Sequence, residues 1–289
     1  MAELEHADWI GVTGGTPWMQ RMLIRWFRHT SLYVPYWCMG WMVPFYMLFH
    51  HQGYLASYRF YRYRFKMSSW KAFGYVYLNH FRFGQIIVDR FASYAGHRFR
   101  FEVVGQETFD KLEKGEAGFL QLSSHVGNYE LAGYSLTPHH KTFHALVFAG
   151  ETETVMASRS RLFAGHKVRM VPVRPDMSHV FILSDALRAG DIISMPGDRI
   201  FGSPRSIVCD FLGGKARFPL GPFAMAVQRE VPVLAVFVMK ASGVKSYKIY
   251  VRQLQGGDTA ELAQCFATEL EHIIKLYPTQ WFNFYDFWT

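Results

Sequence analysis

The sequence is poor in cysteine: Cys38, Cys209 and Cys265 are the only three in 289 residues. They are odd in number and widely spaced. That excludes a disulfide framework and a zinc-type spacing, and it predicts a reducing compartment for the globular part. Charge is also scarce, at 19% of residues, and acidic charge is the scarcer sign, with 23 Asp and Glu against 31 Lys and Arg. The formal net charge is therefore +8. No RNP, zinc-finger or helix-turn-helix pattern accompanies it, which argues against nucleic-acid binding. Internal repeats and low-complexity linkers are missing. A cleavable leader is not expected, because the first apolar stretch starts late, behind an acidic beginning. No cluster of ligating side chains suggests a metal, and no cofactor is expected.

What the chain has in quantity is aromatic residues, 17% in all, with 26 Phe, 16 Tyr and 8 Trp. A basic, ring-rich chain suits an anionic membrane surface or an acidic protein partner. Residues 1–85 read as a membrane-associated helical segment. Glu3 to Thr16 is polar and irregular, and Arg21, Arg25 and Arg28 follow. Ser31 to Phe49 then runs without a charge for about the length of a spanning helix. Pro35, Gly40 and Pro44 work against a straight helix, and the Tyr and Trp content belongs to an interface. Two forms fit: a tilted or broken anchor entering the bilayer, or a hairpin lying in one leaflet. Arg59, Arg62, Arg64 and Lys66 alternate with Tyr58, Phe60, Tyr61, Tyr63 and Phe65. That pattern is either a basic collar on anionic lipid or a solvated helix face.

Residues 86–289 alternate strand and helix, predicting an α/β fold with a mixed central sheet flanked by helices. Strands are expected at Phe101–Val104, Gly118–Leu122, Phe143–Phe148, Met170–Val173, Asp191–Met195, Ile207–Phe211, Val231–Met239 and Tyr247–Val251. The near-continuous apolar run at Val231–Met239 marks a strand covered on both faces, and the alternation at Tyr247–Val251 marks an edge. Helices are expected at Thr108–Glu113, Thr152–Phe163, Ser178–Arg188 with Ser178 as cap, Pro222–Gln228, and Asp258–Tyr277 with Asp258 as cap.

The chemistry centres on LQLSSHVGNYELAGY, Leu120 to Tyr134. His125 follows a strand, and Glu130 lies five positions on, at the start of an expected helix. A carboxylate beside an imidazole fixes its tautomer and makes it a general base. No Ser or Cys nucleophile is placed to complete a triad, so the pair suits a substrate that brings its own hydroxyl or amine. Arg159 and Arg161, late in a helix, suit an oxyanion or a phosphate, or simply the helix dipole. Met195-Pro196-Gly197-Asp198-Arg199 ends a strand, where ligands sit in open α/β sheets. Phe218 to Phe223 sets up a helix N-terminus that could meet an anion, or is only a turn.

Together these stretches resemble the lysophospholipid acyltransferase superfamily, and within it the lipid A late acyltransferase branch. The likeness rests on H-x4-E within HVGNYE, on Arg159, on LRAGD (Leu187 to Asp191), on the Asp198 loop, on FLGGKARFPLGPFAMA and on Pro278-Thr279-Gln280-Trp281. It covers roughly residues 100–285. Tyr129 stands where that branch commonly has Trp, and Asp198-Arg199 where it often has Asp-Gln. The resemblance implies a glycerol-3-phosphate acyltransferase-like fold at the cytoplasmic face of a bacterial inner membrane. It implies an acyl thioester donor, on acyl carrier protein or coenzyme A, and a lipid acceptor bearing a hydroxyl or amine. His125 and Glu130 would be the general-base dyad and Arg159 the oxyanion donor. Asn128, Arg161, Asp198 and Arg199 would contact substrate, beside an apolar groove for the acyl chain. The alternative is a non-catalytic lipid-binding or membrane scaffold protein of the same fold.

Overall fold

The computed structural model describes residues 15–49, 51–134, 136, 138–147, 153–162, 167–174, 176–200 and 205–288. The irregular stretch expected at Glu3 to Thr16 lies almost wholly outside the described residues, as do Phe148, Thr152 and Phe163 at the ends of two expected elements. In chain order the elements are α1 (Pro17–Phe27), α2 (Tyr33–Phe49), α3 (His51–Arg59), a π-helical turn (Phe60–Arg64), α4 (Ser69–Tyr94), β1 (Arg100–Val104), α5 (Gln106–Lys114), β2 (Phe119–Ser123), a 3-10 turn (Tyr129–Tyr134) and β3 (Phe143–Val147). They continue with α6 (Glu153–Leu162), β4 (Val168–Pro172), α7 (Ser178–Arg188), β5 (Ile192–Pro196), β6 (Ser206–Phe211), β7 (Gly214–Pro219), α8 (Leu220–Gln228), β8 (Val233–Lys240), β9 (Ser246–Gln253) and α9 (Thr259–Leu276).

Seven strands form one sheet in the order β1-β9-β8-β2-β5-β3-β4, parallel except for the antiparallel β8–β9 pair. Strands β6 and β7 make a separate antiparallel ribbon. Every residue of β8 is buried. Val233, Ala235, Phe237 and Met239 pack with Phe223 of α8 and Phe266 of α9. Leu234, Val236 and Val238 pack on the opposite face with Ile86 of α4 and Phe109 of α5. The unbroken apolar run is thus the sequence of a strand with helices on both sides. Each fully buried Phe or Leu contributes about 1.5–3 kcal/mol. Strand β9 is not an edge as its alternation suggested; it lies between β1 and β8. Asp258 caps α9 as expected, accepting from the backbone N–H of Ala260 at 2.8 Å and Glu261 at 2.9 Å. Ser178 is already inside α7, whose N-cap is Met177 with φ of 59°.

Helices α2 and α4 share the sheet's core. Val43 and Met47 of α2, Phe60 and Tyr61 of the π turn, and Ala72 and Val76 of α4 share a cluster with sheet residues. Helix α4 runs unbroken through the boundary expected near residue 85. Pro44 lies inside α2 and cannot donate to the carbonyl of Gly40. The Tyr77 hydroxyl of α4 donates to that carbonyl instead, at 3.1 Å. Trp37, Trp41, Phe45 and Phe49 recur every fourth residue and are 62–82% exposed, forming an outward aromatic stripe. Among the described residues no helix is long and apolar enough to cross a membrane. Of the expected basic collar, Arg64 is tied inward: it donates to the Gly213 carbonyl at 3.2 Å and stacks over Trp288 at 4.2 Å.

Beneath the sheet's β8–β9 end, the Asp89 carboxylate of α4 accepts from Lys240 Nζ at 2.7 Å and from the hydroxyls of Tyr36 and Tyr247. Asp89 and Lys240 side chains are 0% and 1% exposed. Removing one partner leaves an uncompensated buried charge, which costs about 3–5 kcal/mol. Lys240→Met is expected to lose stability of that order in chemical denaturation, and the double variant Asp89→Leu/Lys240→Met to recover much of it.

Candidate active site

Strands β2 and β5 are parallel neighbours, with Ser123 opposite Pro196. Two residues beyond each strand end, their chains present His125 and Asp198. The pair is held twice. His125 N–H donates to Asp198 Oδ2 at 2.7 Å, and the Nδ1 of His125 lies 2.9 Å from Asp198 Oδ1. A carboxylate can only accept, so Nδ1 carries the proton and the Nε2 lone pair is the basic site. Burial lowers the His125 pKa, the Arg199 charge lowers it further, and Asp198 only partly offsets them. The imidazole is therefore neutral near pH 7. Burial favours the protonated Asp198 carboxyl, but His125 and Arg199 outweigh it and hold the carboxyl below its usual range.

The carboxylate on Nδ1 of His125 is thus Asp198, where the sequence pointed to Glu130. Glu130, in the first turn of the 3-10 segment, makes a second cluster. Its oxygens accept from Arg159 Nη2 at 2.5 Å and Nε at 3.3 Å, from Arg90 Nη1 at 3.0 Å and from the Tyr94 hydroxyl at 3.1 Å. Burial would raise its pKa, yet the two arginines bring it to about 2. Burial likewise opposes the charge on Arg159, and Glu130 reverses that effect and raises its pKa. Arg90 and Tyr94 carry no local signal in the sequence; they reach Glu130 from α4, 40 and 36 residues earlier in the chain.

The loop between the two clusters is fixed through its backbone. Gly127 has φ of 57°, and a Cβ there would stand 2.0 Å from the Val238 carbonyl oxygen. That close approach lets Asn128 N–H donate to Val238 O at 2.7 Å and Gly127 N–H to Gln280 O at 2.8 Å. Phe282 N–H returns a bond to His125 O at 3.1 Å. Asn128, expected to touch substrate, is buried, and its amide lies 3.3 Å from the Tyr247 hydroxyl. It joins the loop to the Asp89 network. Arg199 donates to Phe282 O at 3.0 Å and lies over Tyr285. The Tyr129 ring meets the His125 ring edge to face, 5.6 Å apart. Arg161 is exposed and lines a cleft between α1 and α6 rather than the His125 cluster.

LRAGD proves to be structural. Asp191 sits at the amino end of β5, accepting from Thr142 N–H at 2.8 Å and pairing with His144 at 2.9 Å. FLGGKARFP forms the β6–β7 hairpin, turning at Leu212 and Gly213 with φ of 48° and 73°. At the start of α8, Leu220 N–H is bonded to Arg205 O at 3.1 Å.

Gly127→Ala is expected to cost about 2 kcal/mol or more, because both the φ and the contact with Val238 are unavailable to alanine. Thermal melting measures that loss. Glu130 has a depressed folded pKa, so its stabilising contribution is present above 4.5 and disappears as pH falls through about 2. Glu130→Gln should therefore flatten the stability-versus-pH curve across that acid range.

The geometry can be set beside known proteins. No curated protein matches the chain. A family model described as bacterial lipid A biosynthesis acyltransferase matches residues 71–289, from α4 through the last strand and helix and so across both carboxylate clusters. With three quarters of its length accounted for in this way, the chain belongs to the bacterial lipid A biosynthesis acyltransferase family and is an acyltransferase.

Proposed function

We propose that the protein moves a fatty acyl group from an acyl thioester, on acyl carrier protein or coenzyme A, to a hydroxyl or amine of a lipid acceptor. The observation that carries this reading is the His125–Asp198 pair, which leaves Nε2 as a neutral base in a chain of an acyltransferase family. Nε2 takes the acceptor's proton as the acceptor oxygen or nitrogen attacks the thioester carbonyl. A tetrahedral oxyanion forms. It collapses by breaking the C–S bond, and the imidazolium returns its proton to the departing thiolate, so acceptor and donor leave as acyl product and free thiol. Asp198 holds the tautomer and stabilises the imidazolium. Arg159, positioned by Glu130, and Arg199, whose charge already acts on His125, are the cations proposed to stabilise the oxyanion.

The outward stripe of Trp37, Trp41, Phe45 and Phe49 supports docking on a membrane surface, with α2 lying in one leaflet. The proposed location is the cytoplasmic face of a bacterial inner membrane. An acidic carrier protein would be favoured by the +8 charge.

His125→Ala is expected to abolish transfer while the fold, read by circular dichroism, is retained. The pH profile separates the two carboxylates. Because the His125 pKa is lowered, kcat/KM should hold its plateau to below pH 6.5 and then fall with acid. Asp198→Asn removes the group that raises the His125 pKa, so the acid limb should move further down and the plateau drop by about 10²–10⁴-fold. Glu130→Gln should leave the acid limb in place. An acid limb that follows Glu130 and ignores Asp198 would overturn this assignment of roles.

A further inference from the structure

A cleft of about 630 Å³ lies between α1, the end of α4, and α6. Four arginines line it: Arg21, Arg25 and Arg28 from α1 and Arg161 from α6. All four are exposed. Among the described residues none of them makes an ion pair, and no Asp or Glu lines the cleft. Ser158 also lines the cleft, whereas the Ser93 and Thr154 hydroxyls already donate to the Arg90 and Pro17 carbonyls. Unpaired like charges gathered from two elements repel one another, and an anion between them relieves that repulsion.

The cleft is built rather than incidental. Phe27 of α1, Val88 and Phe91 of α4 and Val155 of α6 form a small core of their own beneath it. The Thr154 hydroxyl lies 3.4 Å from the Pro17 carbonyl, and His97 Nε2 lies 2.7 Å from the Phe27 carbonyl, tying both ends of α1. On α1 the arginines recur at i, i+4 and i+7 on one side. Trp18, Met22 and Trp26 recur every fourth residue on the neighbouring exposed side. At the inner end, Tyr94 lines the cleft while its hydroxyl binds Glu130, and Ser158 adjoins Arg159. Through Tyr94, one wall of the cleft is joined to the Glu130–Arg159 cluster.

We propose that this cleft is a phosphate-binding site, gripping a phosphate monoester or diester between α1 and α6. Arginine matches phosphate in charge and in paired-donor geometry. Two sources carry that chemistry: the headgroup of a lipid, presented beside the exposed Trp and Met side of α1, or the phosphates of a coenzyme-A-type thioester donor. Calling the anion a substrate rests on the acyl-transfer reading; the binding itself does not.

The test is equilibrium binding by the full-length protein at fixed physiological ionic strength. One probe is phosphatidylcholine vesicles containing phosphatidic acid, against phosphatidylcholine alone. The other is coenzyme A in solution. Arg25→Gln and Arg161→Gln, on different helices, are each expected to weaken one probe about tenfold, the loss of one charge-assisted contact to phosphate. Arg217→Gln, an exposed arginine of β7, is the control and should leave binding unchanged. Loss confined to the phosphatidic acid vesicles identifies a lipid headgroup, and loss confined to coenzyme A identifies the donor; both support the site. Unchanged binding in either cleft variant overturns it, as does an equal loss in Arg217→Gln, which would mean a diffuse basic surface. Because no turnover is measured, a protein that binds phosphate but transfers no acyl group sinks only the acyl-transfer reading. One that transfers but binds neither probe sinks only this one.

Discussion

The structure depends on a short backbone pairing between the His125 loop and the C-terminal tail. A loop that leaves the core must still satisfy its N–H and C=O groups. Here His125 O takes Phe282 N–H, Gly127 N–H goes to Gln280 O, and Asn128 N–H goes to Val238 O. The tail can serve as a template because it is itself held. Asn79 of α4 donates to Thr279 O at 3.1 Å and Trp281 O at 2.9 Å, and the Tyr61 hydroxyl donates to Pro278 O at 2.8 Å. The Gln280 amide bonds both the N–H and the carbonyl of Lys240, each at 2.9 Å. His125 therefore owes its position to the C-terminal tail and, through Tyr61 and Asn79, to the N-terminal helices that hold that tail.

On that frame two carboxylates are kept in different electrostatic surroundings and so acquire different work. Glu130 is saturated by two arginines and a tyrosine and is charged down to about pH 2, so it makes a poor proton acceptor. What it does well is anchor cations. Asp198 meets His125 with both oxygens, one at the imidazole Nδ1 and one at the backbone N–H, and is kept ionised by His125 and Arg199. His125, buried beside Arg199, is kept neutral, the form in which a general base acts. Swapping these neighbours would leave both acids present and neither able to do its present job.

Much of the fold was legible because the signals were local. The apolar run of β8, the Asp258 cap and the helix over Ser178–Arg188 all follow from period and capping. The histidine too was legible, since it follows a strand. Its partner was not. H-x4-E is a spacing along the chain, whereas the His125–Asp198 contact arises from the parallel register of β2 beside β5, which no local pattern encodes. The same reason explains β9: its alternation looks like an edge, but β1 pairs with it from far upstream. Asn128 was expected at the substrate only through the family resemblance; Gly127's left-handed turn sets its buried amide beside the Tyr247 hydroxyl. Pro44 read as a helix breaker, and the Tyr77 hydroxyl supplies the donor it lacks.

The N-terminal segment makes the final link between packing and chemistry. The family match begins at residue 71, inside α4, yet Val43, Met47, Phe60 and Tyr61 lie in the same core as β8 and α9. Tyr36 reaches the Asp89 network, and Tyr61 holds the tail that templates the loop. Each helix that contributes an inner face also leaves an outer one: aromatic on α2, aromatic and cationic on α1. A membrane bound to those outer faces would be registered against His125 through rigid, buried contacts rather than through a flexible tether. Under the proposed function, then, attachment and catalysis are not separable modules. An acceptor lying in the interface would meet the base at a height set by α2 and α4, and loosening that packing should impair transfer even where the imidazole and its aspartate are untouched.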